Sequence, residues 1–519
     1  MAALQQRPVR SPVVAASIPA GLSPAPRTDH LPRHTLHATQ FIARPIDEVF
    51  DFFSGPKNLG RITPSGMGFE LLTADTSMRA GLTIDYRIRP LLGIPTRWRT
   101  EIATYEPPAR FVDLQARGPY RRWEHAHRFR SADGGTLIED EVVYELPFGP
   151  LGEIAHRLIV RGELRRIFRH RARAIAAIFA PVEANDQPLT VAVAGGTGFV
   201  GGAIAAELHR RGHRVVVLSH RGEAARGPLP DTVEIRRADV ATGVGLDAAL
   251  TGIDALVIAL AFPNSPIEAP RRARTFMTVD AAGTERLVAA AVRSRVRRLV
   301  YISGAGAAPN AQRHWFRAKW RAEEAVRSSG IVATIIRPTW IYGPRDVSLN
   351  RFVGFARRLP IVPMTNLGRQ LLAPVFIEDV ARLAADSLID PAADGALLEL
   401  GGPEVLPMRA IIGHALRAAG LRRPIVPGPA PLIKLLLQPL RLLPTPPLTP
   451  DAIDFINQPA TADLGPLLAR MPRRLTPFDE GLATYLPPDV GPATLAFDRG
   501  SGRSPRSGRS AEAGTAAAR

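Results

Sequence analysis

The residues whose types and spacing could do chemistry begin at Leu189. Val191 to Ala194 is an apolar run that reads as a buried strand. It breaks into Gly195-Gly196-Thr197-Gly198-Phe199-Val200-Gly201 before an Ala-rich helical pattern starts. In such a strand, turn and helix, Gly195 permits the sharp turn and Gly198 lets backbone N–H groups approach a diphosphate. Gly201 lets the helix lie close on the strand. The chemistry is anion capture at a helix N-terminus, where N–H groups lack intrahelical partners and the dipole favours negative charge. Gly195, Thr197, Gly198, Phe199, Val200 and Gly201 are the expected lining.

The elements that must position this loop follow in order. A helix over Ala203–Arg211 leads to a strand, Arg214–Leu218, that ends in Ser219-His220-Arg221. An acidic residue there would accept hydrogen bonds from a ribose 2′-hydroxyl, whereas a basic one pairs with a 2′-phosphate. His220 and Arg221 therefore point to NADP(H) over NAD(H). Val233–Ile235 reads as a third strand, and Asp239-Val240 stands where an adenine amino group would be met. Asp254–Ala261 reads as a fourth, its small residues, with Ala259, Leu260 and Ala261 at the end, letting a cofactor pass over the strand ends. Helices over Thr278–Val292 and Ala318–Ser328 alternate with strands over Arg298–Ser303 and Val332–Arg337. This alternation predicts an α/β fold with a doubly wound parallel sheet.

Composition narrows the field. A chain of 519 residues suffices for two to four domains. It has no cysteine, which excludes disulfides, thiolate nucleophiles and Cys-ligated metal and fits a reducing cytoplasm. The net charge of +18 invites a nucleic-acid reading, but only Lys57, Lys319 and Lys434 are lysines among 66 basic residues. That replacement of Lys by Arg is what a GC-rich coding bias produces, so nucleic acid is not an expected partner. A peripheral contact with an anionic membrane surface is the better use of the charge. No apolar run reaches the span of about 18 residues that crossing a membrane requires, and the expected location is cytoplasmic. For Pro429–Pro444, apolar with Lys434 and Arg441, three readings stand: a segment lying on a membrane, the lining of a lipophilic pocket, or packing against the domain.

Residues 1–35 read as a disordered arm, 181–188 as a linker and 487–519 as a disordered basic tail. Between arm and linker, Thr39–Ala43 alternates like a strand and Pro45–Phe53 starts a helix with carboxylates in its first turn. Strands are expected at Leu82–Ile88, Arg97–Tyr105, Arg110–Gln115, Glu124–Arg130 and Thr136–Leu146. A long helix then places Ile154, Leu158, Leu164, Ile167, Phe168, Ile175, Ile178 and Phe179 on one stripe, with Arg165, Arg166, Arg169, His170 and Arg173 elsewhere. His125 and His127 share one face of their strand. The sequence places no further ligands beside them, so no metal site is expected and a solvated or satisfied strand face is the reading.

Two resemblances follow from these patterns. Residues 36–180, with PIDEVFDFFSGPKNLGRITP and YEPPARFVD, resemble the START-like SRPBCC superfamily, which implies a helix-grip domain with an apolar cavity for a lipid or other small hydrophobic ligand. Residues 189–486, with GGTGFVG, RRLVYISGAGA, KWRAEEAVRSSGIVATIIRPTWIYGP, PVFIEDVA and LELGGPEVL, resemble an extended or atypical short-chain dehydrogenase/reductase. The nearer branch is that of the nucleotide-binding accessory subunit of respiratory complex I. In that superfamily a tyrosinate moves the alcohol proton, a lysine four residues later holds the nicotinamide ribose, and a strand-end serine or threonine orients the carbonyl. The resemblance puts Lys319 at the lysine position and Ser303 at the serine position, with Pro338 and Thr339 near the nicotinamide. Four residues before Lys319 stands Trp315, whose indole N–H cannot serve as acid or base. His314 is the residue that could replace the acid.

The expectation is an NAD(P)(H)-binding protein whose hydride transfer to a lipophilic carbonyl compound is weak or absent. Two alternatives stand beside it. One is an active NADP-dependent oxidoreductase or epimerase using Ser303, a water and His314. The other is a quinone or lipid carrier or assembly factor that uses the nucleotide structurally.

Overall fold

The amino-terminal sheet is antiparallel because its strands follow one another through tight turns. It comprises β1 (Arg33–Ile42), β2 (Glu70–Leu71), β3 (Thr83–Leu91), β4 (Ile94–Glu106), β5 (Arg110–Arg117), β6 (Arg122–Ala132) and β7 (Gly135–Glu145), in the order β2-β3-β4-β5-β6-β7-β1. This is a computed structural model, and it describes residues 33–64, 67–91, 94–261, 268, 275–429, 458–487 and 492–500. Burial alternates strictly along β7, so Thr136, Ile138, Asp140, Val142 and Tyr144 all face inward. Helix α1 (Ile46–Phe53) follows Pro45, carries Asp47 and Glu48 in its first turn, and buries Val49, Phe50, Phe52 and Phe53.

The long helix is interrupted. After α2 (Gly149–Ala155), His156–Val160 forms a π turn before α3 (Arg161–Ile178). The wider turn shifts the helical phase. Leu164, Phe168, Ile175 and Ile178 are buried as the stripe requires, but Ile154 and Leu158 are rotated outward, 54% and 77% exposed.

The expected disordered ends need correction. The strand β1 already runs at Arg33, inside the expected arm, and the strand Ala493–Gly500 pairs antiparallel along β1 from Arg33↔Gly500 to Gln40↔Ala493. Alternation in this segment turns Leu495 and Phe497 onto the cluster of Leu36, Val142, Tyr144 and Phe168. The chain thus returns after its second domain to cover the first domain's edge strand. Residues 1–32 and 501–519, and all of the Pro429–Pro444 segment but Pro429, lie outside the described residues.

The second sheet is parallel throughout: β8 (Thr190–Ala194), β9 (Arg214–Ser219), β10 (Glu234–Arg237), β11 (Ala255–Ile258), β12 (Arg298–Ile302), β13 (Val332–Pro338) and the strand Leu397–Leu400. Their order is β10-β9-β8-β11-β12-β13, then Leu397–Leu400. Helices α4 (Phe199–Arg210), α5 (Leu246–Ala249), α6 (Ala282–Arg293), α7 (His314–Arg327), α8 (Ser348–Arg358), α9 (Ile377–Asp386) and α10 (Met408–Ala418) complete it. Ile204 and Leu208 of α4 and Val380 and Leu383 of α9 cover one face. Leu287 and Val288 of α6 and Ala322 and Val326 of α7 cover the other. Tyr342, fully buried, donates to Phe478 O at 3.3 Å within a third cluster and is a packing residue.

The linker is tied down. Glu183 N donates to Arg210 O at 2.7 Å and Asn185 Nδ2 to Arg211 O at 2.8 Å. Between the domains, Arg61 donates to Leu229 O and Arg173 to Tyr485 O, both at 2.8 Å. The Arg-rich face of α3 is therefore partly docked rather than simply solvated. On that face burial pulls the His170 pKa down from 6.5 to about 4, with Arg345, Arg166 and Arg173 adding to the effect. The unfolded chain takes up a proton below 6.5 that the folded form refuses, so stability holds above that pH and falls as the pH drops toward 4. Urea denaturation at about pH 7.5 and about pH 5 should show this loss in the wild type and a smaller one in His170→Gln. An equal loss in both would remove the assignment.

Candidate functional site

In an open parallel sheet, ligands bind beyond the carboxyl ends of the strands where the strand order reverses. Here that point lies between β8 and β11, paired through Ala194↔Ile258. A groove of about 780 Å³, lined by Asn185, His213, Asp254 and Arg297, opens at the opposite, amino ends and is not this crevice.

The glycine-rich loop has the geometry its residue types demand. Gly195 has φ +82°, and a Cβ there would fall 2.4 Å from Ala259 O. A Cβ on Gly201 would fall 2.3 Å from Gly195 O, so only glycine lets α4 sit this near the turn. Gly198 is the N-cap of α4, and its N–H donates to Gly195 O at 2.9 Å. Thr197, Phe199 and Val200 flank it, and Phe199 and Val200 also pack against the third cluster. Arg345, which no sequence pattern singled out, lies beside the loop: its Nη2 is 3.5 Å from Thr197 O.

At the end of β9, His220 and Arg221 are exposed, and Arg221 N donates to Ser219 Oγ at 3.2 Å. Asp239 is half-buried and uses Oδ1 to accept Ala241 N at 2.9 Å, which shapes its own loop. Val240 packs beside Gly283 of α6. Ala259 N donates to Ala194 O at 3.0 Å, Leu260 O faces Lys319, and Ala261 is exposed at the rim.

The expected catalytic side chains are brought to this end, but each is already engaged. Lys319 Nζ donates to Leu260 O at 2.8 Å and lies 2.9 Å from Asp280 Oδ1, a carboxylate with no exposure. Burial alone would depress the ammonium, but Tyr301 and Asp280 outweigh it and hold its pKa above the ordinary lysine value. Burial also pushes the Tyr301 phenol up, so Tyr301 stays neutral beside it.

Ser303 Oγ donates to Glu323 Oε1 at 2.5 Å. Glu323, fully buried, also receives Arg337 Nε at 2.8 Å and Nη2 at 2.7 Å, and Arg327 Nη2 at 2.6 Å. Instead of standing ready for a carbonyl, the serine hydroxyl is locked to a buried charge hub.

Trp315 is 7% exposed and packs among Phe276, His314 and Phe316. His314 opens α7, with Nε2 3.5 Å from Glu268 Oε1, and is 43% exposed at its side chain. Pro338 ends β13, and Thr339 gives its hydroxyl to Ala373 O. Glu323 and Asp280 escaped the sequence reading. Glu323 lies one helical turn beyond Lys319 on α7 and could have been found by that spacing; Asp280 carries no comparable signal.

Residues 195–355 match the family described as NAD(P)H-binding, and residues 42–170 the family described as polyketide cyclase / dehydrase and lipid transport. Among curated relatives, a mitochondrial NADH dehydrogenase [ubiquinone] 1 alpha subcomplex subunit 9 of Arabidopsis thaliana is 34% identical over 111 residues, covering 21% of this chain and 28% of that protein. A ceramide reductase of Caulobacter vibrioides is 29% identical over 198 residues, covering 38% and 60%. A solved nucleoside-diphosphate sugar epimerase of Corynebacterium glutamicum, 16% identical, covers 87% of this chain and 93% of that one at a TM-score of 0.44. The chain spans 28% and 60% of the length of the two curated relatives. The chain thus carries, in order, a segment similar to the polyketide cyclase / dehydrase and lipid transport family and a parallel-sheet segment similar to the NAD(P)H-binding family.

Proposed function

We propose that the second domain binds NADP(H) in preference to NAD(H) and transfers hydride to a lipophilic carbonyl compound weakly or not at all. The observation that carries this reading is the indole of Trp315 one turn before Lys319, where a proton donor would be needed. The locked Ser303 hydroxyl supports it. The similarity to a ceramide reductase favours a lipophilic partner for the site. Fluorescence titration with NADPH and NADH tests the cofactor half. NADPH should bind more tightly, and Arg221→Glu should weaken NADPH by about 10- to 100-fold, the worth of a charged hydrogen bond, while sparing NADH. Failure to bind either nucleotide ends the reading.

In the amino-terminal domain a hydrophobic ligand remains the proposal, as its family suggests. The space between α3 and the sheet at Gln40, Asp140, Arg171 and Ile175 is about 10 Å³, room for at most one water.

A second reading, a lipid or quinone carrier that works at a membrane, is favoured by one surface. Phe148, Leu151, Ile154, Leu158 and Ile159 are 81%, 71%, 54%, 77% and 46% exposed within twelve residues, beside the exposed Arg157 and Arg161. Apolar side chains flanked by arginine suit an anionic bilayer interface. Among the described residues no helix is long and apolar enough to cross a membrane. The full chain should cosediment with vesicles containing phosphatidylglycerol, and Leu151→Glu/Leu158→Glu should lose most of that binding. Equal sedimentation of wild type and variant would remove the membrane contact.

A further inference from the structure

The inner face of the amino-terminal sheet carries a cluster that nucleotide binding does not use. Strand register builds it: β5 and β6 set Asp113 opposite His125, and β6 and β7 set Asp140 opposite His127. Two residues apart on one strand, both histidines point inward and are 6% and 3% exposed. Asp140 Oδ1 lies 3.2 Å from His125 Nε2 and 2.6 Å from His127 Nδ1. Asp113 Oδ2 lies 3.7 Å from His125 Nδ1 and 3.2 Å from His127 Nε2. Each imidazole therefore has one nitrogen at each carboxylate. Arg171 of α3 stands on the Asp140 side, 3.4 Å from its Oδ1 and 3.2 Å from His127 Nδ1.

A neutral imidazole carries one N–H. With both N–H groups turned to Asp140, the lone pairs of His125 Nδ1, His127 Nε2 and Asp113 Oδ2 converge, all within 4.8 Å of one another. Three acceptors so placed require a positive charge among them. Two imidazoles and a carboxylate form a ligand set suited to zinc or iron(II). Bonds of about 2.0–2.1 Å at tetrahedral or octahedral angles separate ligand atoms by about 3.0–3.4 Å; Asp113 Oδ2 lies 3.2 Å from His127 Nε2 and 3.7 Å from His125 Nδ1, so a bound ion would draw His125 in by a few tenths of an ångström. A carboxylate gripping the far nitrogens of metal-binding histidines fixes their tautomer and orientation, and Asp140 does this for both rings while Arg171 balances its charge.

We infer that His125, His127 and Asp113 form a binding site for a divalent first-row transition-metal ion, with Asp140 as the positioning carboxylate. Three protein ligands leave a further coordination position for water or a ligand oxygen. Asp113, 17% exposed at its side chain, is the outermost of the three. The competing occupant is a proton: with Arg171 donating to His127 Nδ1, the Nε2–H can turn to Asp113 without any metal.

The test uses untagged full-length protein, which has no cysteine to add thiolate background. It is stripped with chelator, loaded with zinc chloride, desalted and measured by elemental mass spectrometry. Wild type should retain one zinc per chain, and cobalt(II) loading should give visible ligand-field absorption. His125→Ala/His127→Ala should lose both signals, and Asp113→Asn supplies the same readout if the double variant does not fold. Asp140→Asn should weaken zinc by about 10- to 100-fold. His156→Ala, in the other His/carboxylate group with His34 and Glu153, should change nothing. A wild type that keeps no zinc leaves a proton-bridged network and overturns the inference. Zinc unaffected by His125→Ala/His127→Ala, or lost in His156→Ala, overturns it equally.

Discussion

Glu323→Leu is expected to destabilise the protein by about 3–5 kcal/mol, because removing one partner of a buried ion pair leaves the other charge desolvated without compensation. Glu323 has no exposure, and the guanidinium it binds through two hydrogen bonds, Arg337, is only 13% exposed at its side chain. A guanidinium does not deprotonate in proteins, so Arg337 cannot shed its proton to escape the penalty once Glu323 is gone. Exposed ion pairs contribute little by comparison. The control is Glu323→Leu/Arg337→Met, which removes both charges and should recover much of the loss. Urea denaturation of the three proteins gives the comparison. A single variant within about 1 kcal/mol of wild type would show that the hub is not a buried pair in solution.

Trp315→Tyr is expected to raise NADPH-dependent reduction of lipophilic carbonyl compounds by about 10²–10⁴-fold over wild type, the usual contribution of a positioned general acid. Positions 315 and 319 lie on one face of α7, one turn apart. A phenol at 315 would stand next to an ammonium that stays protonated, because Tyr301 and Asp280 outweigh the effect of burial on Lys319. Trp315→Phe, which fills much the same aromatic cluster without a titratable group, should give no gain. His314→Ala in the wild-type background should leave any residual turnover unchanged, since His314 lies on the Glu268 side of the cluster. If Trp315→Tyr binds NADPH normally yet gains nothing, the missing phenol does not limit the reaction. If instead His314→Ala abolishes wild-type turnover, the active-oxidoreductase alternative takes its place.

Much of this was legible before any coordinates. Strand and helix periods after Leu189 give the parallel sheet, and the three glycines predict the turn and the close helix approach that the Gly195 and Gly201 geometry displays. Two misreadings have local causes. The apolar stripe from Ile154 fails because a π turn at His156–Val160 shifts the helical phase, a break that spacing alone does not announce. The strand Ala493–Gly500 is short and borders a Gly-, Ser- and Arg-rich end, so its composition hides an alternation that becomes structure only when β1 offers an edge.

What the sequence by itself determined is whatever depends on neighbours along the chain: the order of strands and helices, the glycine turn at the mouth of α4, and the indole one turn before Lys319. Which side chains share a hydrogen bond across the fold was decided only by the tertiary structure. Asp280 at Lys319, Glu323 at Ser303, and Asp113 and Asp140 around His125 and His127 meet through sheet register and helix packing. Such pairs are set by how elements stack, and separations of 12 or more residues leave no periodic trace. The place of the glycine turn and of Lys319 along their elements is therefore readable in advance, whereas the partners their side chains meet are not.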